Sequence, residues 1–207
     1  QSVDYYIDVV LQAKAMGLPV KLGIELDYVP GMEEKIARFT ESRPWDYVLG
    51  SVHFLGKWGI DLSPELGWPG RDVDAVYEEY FATLQMAARS GLFDVITHPD
   101  LVKIFCHRPS KSIIDLYHET AQAMADGGVC CEVSAAGLRK PVREIYPVSE
   151  LLLACQERQV PITFSSDAHW PEDAGLNVDK AVAFAKQCGY EELAVFSGRR
   201  RILSPLS

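Results

Sequence analysis

Five short runs rich in aliphatic and β-branched residues, "VKLGIEL", "WDYVLGSVHF", "FDVITH", "VCCEVS" and "ITFSS", recur along the chain, with helical apolar spacing before each and again after the last. This alternation is the strongest constraint on the fold. Strands separated by helical crossovers run parallel, and a parallel sheet is either open and doubly wound or curled into a barrel. A dinucleotide-type open sheet carries a glycine-rich phosphate loop after its first strand. None follows "KLGIEL", so a barrel is expected.

The apolar spacing predicts helices over 3–16, "MEEKIARFTES", 73–90, 112–126, 149–158 and 177–188, with Gly17, Gly91 and Gly127–Gly128 as stops and Asn177 as a cap. "LAVFSG" reads as a short last strand, and the stretch holding Gly59, Pro64, Gly67, Pro69 and Gly70 as a loop. Met16, Met86 and Met124 fall on helices and read as core filling.

With 207 residues, 48% hydrophobic and 24% charged, the chain is expected to form one domain, residues 1–207, around a sizeable core. A net charge of -9 leaves no broad basic surface for phosphate backbones, which disfavours a nucleic-acid binder while permitting a local anion site. No apolar run approaches the roughly 18 residues of a membrane span. Five cysteines without a CxxC fit reduced thiols and a cytoplasmic protein better than a disulfide framework. The first residue is Gln1 rather than Met, so a preceding piece is expected to be missing.

Each run ends at a residue able to ligate metal or move a proton: Glu25, His53, His98, Glu132, and Asp167 with His169. Parallel α/β architectures place their chemistry at the carboxyl ends of the strands, so these side chains are expected to converge. In an extended segment Asp167 and His169, two apart, would point the same way. Imidazole mixed with carboxylate suits zinc, iron or manganese rather than calcium or magnesium. Each candidate also has a bland reading. A lone histidine after a strand is commonly a hydrogen-bonded loop residue, Glu132 can orient a ligand instead of ligating, His107 and His118 lack the strand-end placement, and Asp61 and Asp100 read as turn or capping residues.

The ordered set "GIELDY", "VLGSVHFLGKWGID", "VITHPDLVKIF", "CEVSAAGLRKPVREIYP" and "ITFSSDAHWPEDAG", closed by "LAVFSGRRRILSPL", resembles the histidinol-phosphatase branch of the PHP (polymerase and histidinol phosphatase) family over essentially the whole chain. The resemblance implies a distorted (β/α)7 barrel of the PHP type, up to three divalent transition metals (Zn, Fe or Mn), and hydrolysis of L-histidinol phosphate. It implies Glu25 as a carboxylate bridging two metals, His53, His98, Asp167 and His169 as ligands, and Lys103 and Arg139 as substrate-phosphate contacts; with such a site complete, the proton for the leaving alkoxide comes from Asp167, His169 or a metal-bound water. The family's opening H-x-H strand and a second strand ending in Asp-His have no counterpart here. The barrel is therefore expected to be incomplete, with about five strands, and an open edge to favour oligomers or poor stability. A phosphoesterase acting on another small ester or nucleotide, or a non-catalytic binding or regulatory domain with a degenerate site, are the competing readings.

Overall fold

The computed structural model describes residues 2–206. In chain order its elements are α1 (Val3–Ala15), β1 (Gly23–Asp27), α2 (Glu33–Glu41), β2 (Tyr47–Ser51), β3 (Phe54–Leu55), β4 (Trp58–Gly59), α3 (Val73–Arg89), β5 (Val95–Ile96), α4 (Ile114–Gly127), β6 (Cys130–Ser134), α5 (Ser149–Glu157), β7 (Ile162–Ser165), α6 (Val178–Gln187), β8 (Glu192–Ser197) and β9 (Arg200–Pro205). Their boundaries follow local chemistry. The Ser2 hydroxyl accepts from the Tyr5 amide to cap α1, and Asp72 accepts from the Asp74 and Ala75 amides to cap α3. Gly128, at φ 66°, closes α4 in the left-handed conformation. Asn177 stands at the start of α6 as expected but is itself left-handed and makes no side-chain cap.

β1, β2, β5, β6 and β7 form one parallel sheet in that order. Because spatial order equals chain order, each crossover steps the same way. A doubly wound sheet reverses its order at a switch point; a barrel wall does not. These are five staves of a barrel wall, and among the described residues β1 and β7 each have one ladder partner. Those open edges are the exposure on which the expectation of self-association rests.

The two-residue period divides the sheet between two cores. Val48, Ile96, Cys131, Val133 and Ile162 join the large cluster beneath the helices. Tyr47, Leu49, Val95 and Cys130 instead pack with Ala194 and Phe196 of β8. β8 and β9 are antiparallel, joined through Gly198 and Arg199, both at positive φ, which suits a tight hairpin turn. That turn is bound to the amino ends of two sheet strands. The Arg199 amide donates to the Asp46 carbonyl at 2.8 Å and its guanidinium to Asp94 at 2.9 Å, while Lys14 reaches the Asp46 carboxylate at 2.7 Å.

Three expectations need correction. "LAVFSG" is a strand but not the last: the chain reverses at Gly198–Arg199 and pairs antiparallel with "RRILSP", since so tight a turn leaves no room for a crossover. The Gly- and Pro-rich loop contains the β3–β4 hairpin. Only Met124 fills the core; Met16 is 81% exposed beyond the end of α1, and Met86 lies on the outer face of α3.

After β6 a 3-10 turn, Ala135–Arg139, leads into a loop that folds back so that Ser134 and Tyr146 exchange backbone hydrogen bonds of 2.7 and 3.1 Å. Gly137 permits this approach: a Cβ there would lie 2.0 Å from the Glu144 carbonyl oxygen. Gly137→Ala is expected to cost about 1–3 kcal/mol, and an unchanged melting temperature would contradict the packing described.

Candidate metal centre

At the carboxyl end of the sheet a cavity of about 220 Å³ is lined by Glu25, Asp27, His53, His98, Asp167 and His169, together with Asp61, Lys140 and Tyr146. Strand periodicity supplies the first pair: Glu25 and Asp27, two apart on β1, both face it. His53 follows β2 and His98 follows β5, so parallel register brings their rings to Glu25. One donor atom from each of Glu25, His53 and His98 lies within 4.8 Å of the others. Glu25 Oε1 is 3.3 Å from His98 Nε2 and 3.8 Å from His53 Nε2, and the ring centroids are 5.0 Å apart.

The electrostatics are those of a cation site. Desolvation would raise the Glu25 carboxyl, but the His98 hydrogen bond and the charges of His98 and His53 hold it down at about 2. Burial alone would depress the His98 imidazole; the hydrogen bond and charge of Glu25 raise it to about 9. Glu132 is raised to about 7 by its burial. His98 Nδ1 is buried without a hydrogen-bond partner among the described residues. Two imidazoles and a carboxylate within shared reach of one ion fit a divalent transition metal.

Asp167 lines the same cavity, but the segment after β7 is not extended as expected. Asp167 adopts φ 45°, so His169 does not lie parallel to it; its side chain is 73% exposed, with Nδ1 3.6 Å from Asp167 Oδ1. His98 is also left-handed, at φ 27°. Non-glycine residues in such conformations cost roughly 1–3 kcal/mol each and concentrate at functional sites.

A model of the PHP domain family matches residues 2–136, and the chain is 40% identical over 185 residues to a protein from Deinococcus radiodurans described as a probable histidinol-phosphatase, covering 88% of this chain and 70% of that one. The chain belongs to the PHP family. A probable histidinol-phosphatase of Schizosaccharomyces pombe is 27% identical over 85% of this PHP chain, which spans 62% of that relative. The fold matches the crystal structure of histidinol phosphate phosphatase from Lactococcus lactis, complexed with zinc, L-histidinol and phosphate, with a TM-score of 0.83 at 22% identity, covering 97% of this chain and 80% of that one.

Within this PHP chain, neither cation expected to contact phosphate lines the cavity, and both contact neighbouring groups, although Arg139 Nη1 is buried without a hydrogen-bond partner among the described residues. Lys103 is 1% exposed, does not line the cavity, and is spent on Asp100 at 2.9 Å, Glu144 at 3.2 Å and the Ile145 carbonyl at 2.8 Å. Burying an ammonium demands such partners. Asp100 is correspondingly more than a turn residue: it is buried and also accepts from the Val148 amide. Arg139 donates to the carbonyls of Ser166 and Asp167 at 2.7 and 3.1 Å and pairs with Asp173 at 3.4 Å, so it braces the turn carrying Asp167. Glu132, 3% exposed, accepts from the His98 amide at 3.0 Å and holds that residue's backbone rather than facing the cavity.

Four functional candidates were not singled out from sequence as site residues. Asp27 accepts from the His53 ring at 2.7 Å and from its amide at 3.2 Å, orienting the imidazole so that Nε2 faces Glu25. Its spacing from Glu25 on a strand was the available signal. Lys140, Tyr146 and Asp61 reach the cavity from loops, where no periodicity marks them.

Two outcomes are expected. Asp27→Asn lowers zinc affinity by roughly 10–100-fold, as loss of a ligand-orienting carboxylate does; chelator competition showing wild-type affinity would make Asp27 dispensable. Lys103→Met strands Asp100 and costs about 3–5 kcal/mol, measured by chemical denaturation, whereas a residue held free for phosphate would leave stability unchanged.

Proposed function

We propose that this chain is a metal-dependent phosphomonoesterase that hydrolyses L-histidinol phosphate to L-histidinol and phosphate, the phosphatase step of histidine biosynthesis. The observation that carries the reading is the Glu25, His53 and His98 cluster at the strand ends of a PHP chain. The names of its relatives support the substrate. In this reading Glu25, His53 and His98 hold zinc, iron or manganese, and Asp167 and His169, on the same cavity, complete the donors this chain offers towards a site of up to three ions. Such ions, when bound, supply a Lewis acid and a nucleophile at neutral pH.

The remaining work falls to the chain. Asp27 fixes the His53 tautomer by engaging Nδ1, and Glu132 fixes the His98 backbone. Arg139 restrains Asp167 through its carbonyl. Asp167 and His169 stand where a proton for the departing alkoxide can be held. Lys140 is the single Lys or Arg among the described residues lining the cavity, and in this reading it is the cation placed to meet the phosphate. A local cation of this kind reconciles an acidic chain with an anionic substrate.

We further read the 207 residues as one PHP-type unit in the cytoplasm, with a small phosphorylated substrate and without nucleic-acid or membrane partners. The open edges of β1 and β7 support self-association. No helix among the described residues is long and apolar enough to cross a membrane.

The test is phosphate release from L-histidinol phosphate, set against a nucleoside monophosphate, by protein loaded with zinc or manganese and assayed for metal content. Turnover favouring L-histidinol phosphate, lost on chelation and restored by metal, is the expected outcome. Metal uptake without hydrolysis of any monoester would instead assign a binding or regulatory domain.

A further inference from the structure

We infer that Asp61 is the specificity residue of this site, receiving a cationic amine on the phosphate ester; the inference rests on the phosphatase reading and deepens it. Every other carboxylate lining the cavity is engaged. Glu25 contacts two imidazoles, Asp27 is held by His53, and Asp167 lies 3.6 Å from the His169 ring. Asp61 lines the same cavity, yet its carboxylate has no hydrogen bond or ion pair among the described residues.

Its position is nonetheless fixed. The preceding residue, Ile60, is fully buried; its amide donates to the His53 carbonyl at 2.9 Å, and its carbonyl accepts from the Trp68 indole at 2.9 Å. Trp68 in turn stacks on His107 at 4.2 Å. Asp61 is therefore held in a constant relation to His53 by a packed aromatic platform, not carried on a free loop tip. Nor does it belong to the group of donors in shared reach of one ion.

An uncommitted anion on a rigid mount, in a cavity that also presents Lys140 and a metal-ligand cluster, is matched by a ligand of mixed charge: phosphate towards the donors and Lys140, ammonium towards Asp61. The chemistry recognised is that of a small amino-alcohol phosphate, not of phosphate esters in general.

The experiment compares L-histidinol phosphate with its deaminated analogue, imidazolylpropyl phosphate, in wild type, Asp61→Asn and Asp61→Glu, with metal content measured in each. The ratio of kcat/KM values, amine-bearing over amine-free, is expected to fall roughly 10- to 100-fold in Asp61→Asn, mainly through KM, as loss of a charged hydrogen-bond partner does, and to recover largely in Asp61→Glu. An unchanged ratio overturns the assignment, as does equal loss on both esters accompanied by lost metal. If the wild type hydrolyses neither ester, the phosphatase reading fails, and calorimetry with L-histidinol decides this inference separately. Binding that Asp61→Asn abolishes sustains it; absent or equal binding overturns it.

Discussion

Parallel pairing in chain order is the constraint from which the site follows. Because β1, β2, β5, β6 and β7 run the same way and each lies beside its predecessor, whatever follows each strand emerges on one rim. Residues as distant in sequence as Glu25 and Asp167 come to line one cavity without any local contact arranging it. The same ladder sends its amino ends to the opposite side, where Asp46 and Asp94 bind the β8–β9 turn. Chemistry and structural clamping are thereby kept at different ends of the sheet.

At the rim, mutual electrostatic need replaces hydrophobic packing. The Glu25 carboxylate and the His98 imidazolium stabilise each other against the desolvation that would neutralise either alone. Two residues there, His98 and Asp167, hold left-handed backbones that side-chain-bearing residues seldom adopt. Each is over-determined by a group from another element: buried Glu132 on the His98 amide, half-buried Arg139 on the Asp167 carbonyl. The surrounding fold thus carries the strain that aims these side chains.

Much of this was legible in the residues. The β/α alternation, the helix stops at glycine and the placement of donors after strands led to five parallel strands and to Glu25, His53 and His98 as a converging set. What was not legible had a common cause. Asp27 was passed over although it shares a strand face with Glu25, because a second carboxylate on a strand does not declare which imidazole it will meet. Lys103 has the charge suited to phosphate, but a formal charge does not reveal that Asp100 and Glu144 will consume it. The Asp167 and His169 spacing was read on an extended backbone, whereas Asp167 is left-handed and the two meet across a turn, 3.6 Å apart, rather than side by side on a strand.

The sequence by itself determined the periodic elements, their parallel order, and which residue types stand at strand ends, since periodicity, turn residues and donor chemistry are local properties. Only the tertiary structure decided which charges face the cavity and which are neutralised behind it, and that Lys140 and Asp61 rather than Lys103 look inward. The reason is physical. A charged group's role depends on its desolvation and on its partners, and Lys103 takes one partner, Asp100, from its own turn and another, Glu144, from a loop that only the fold brings beside it.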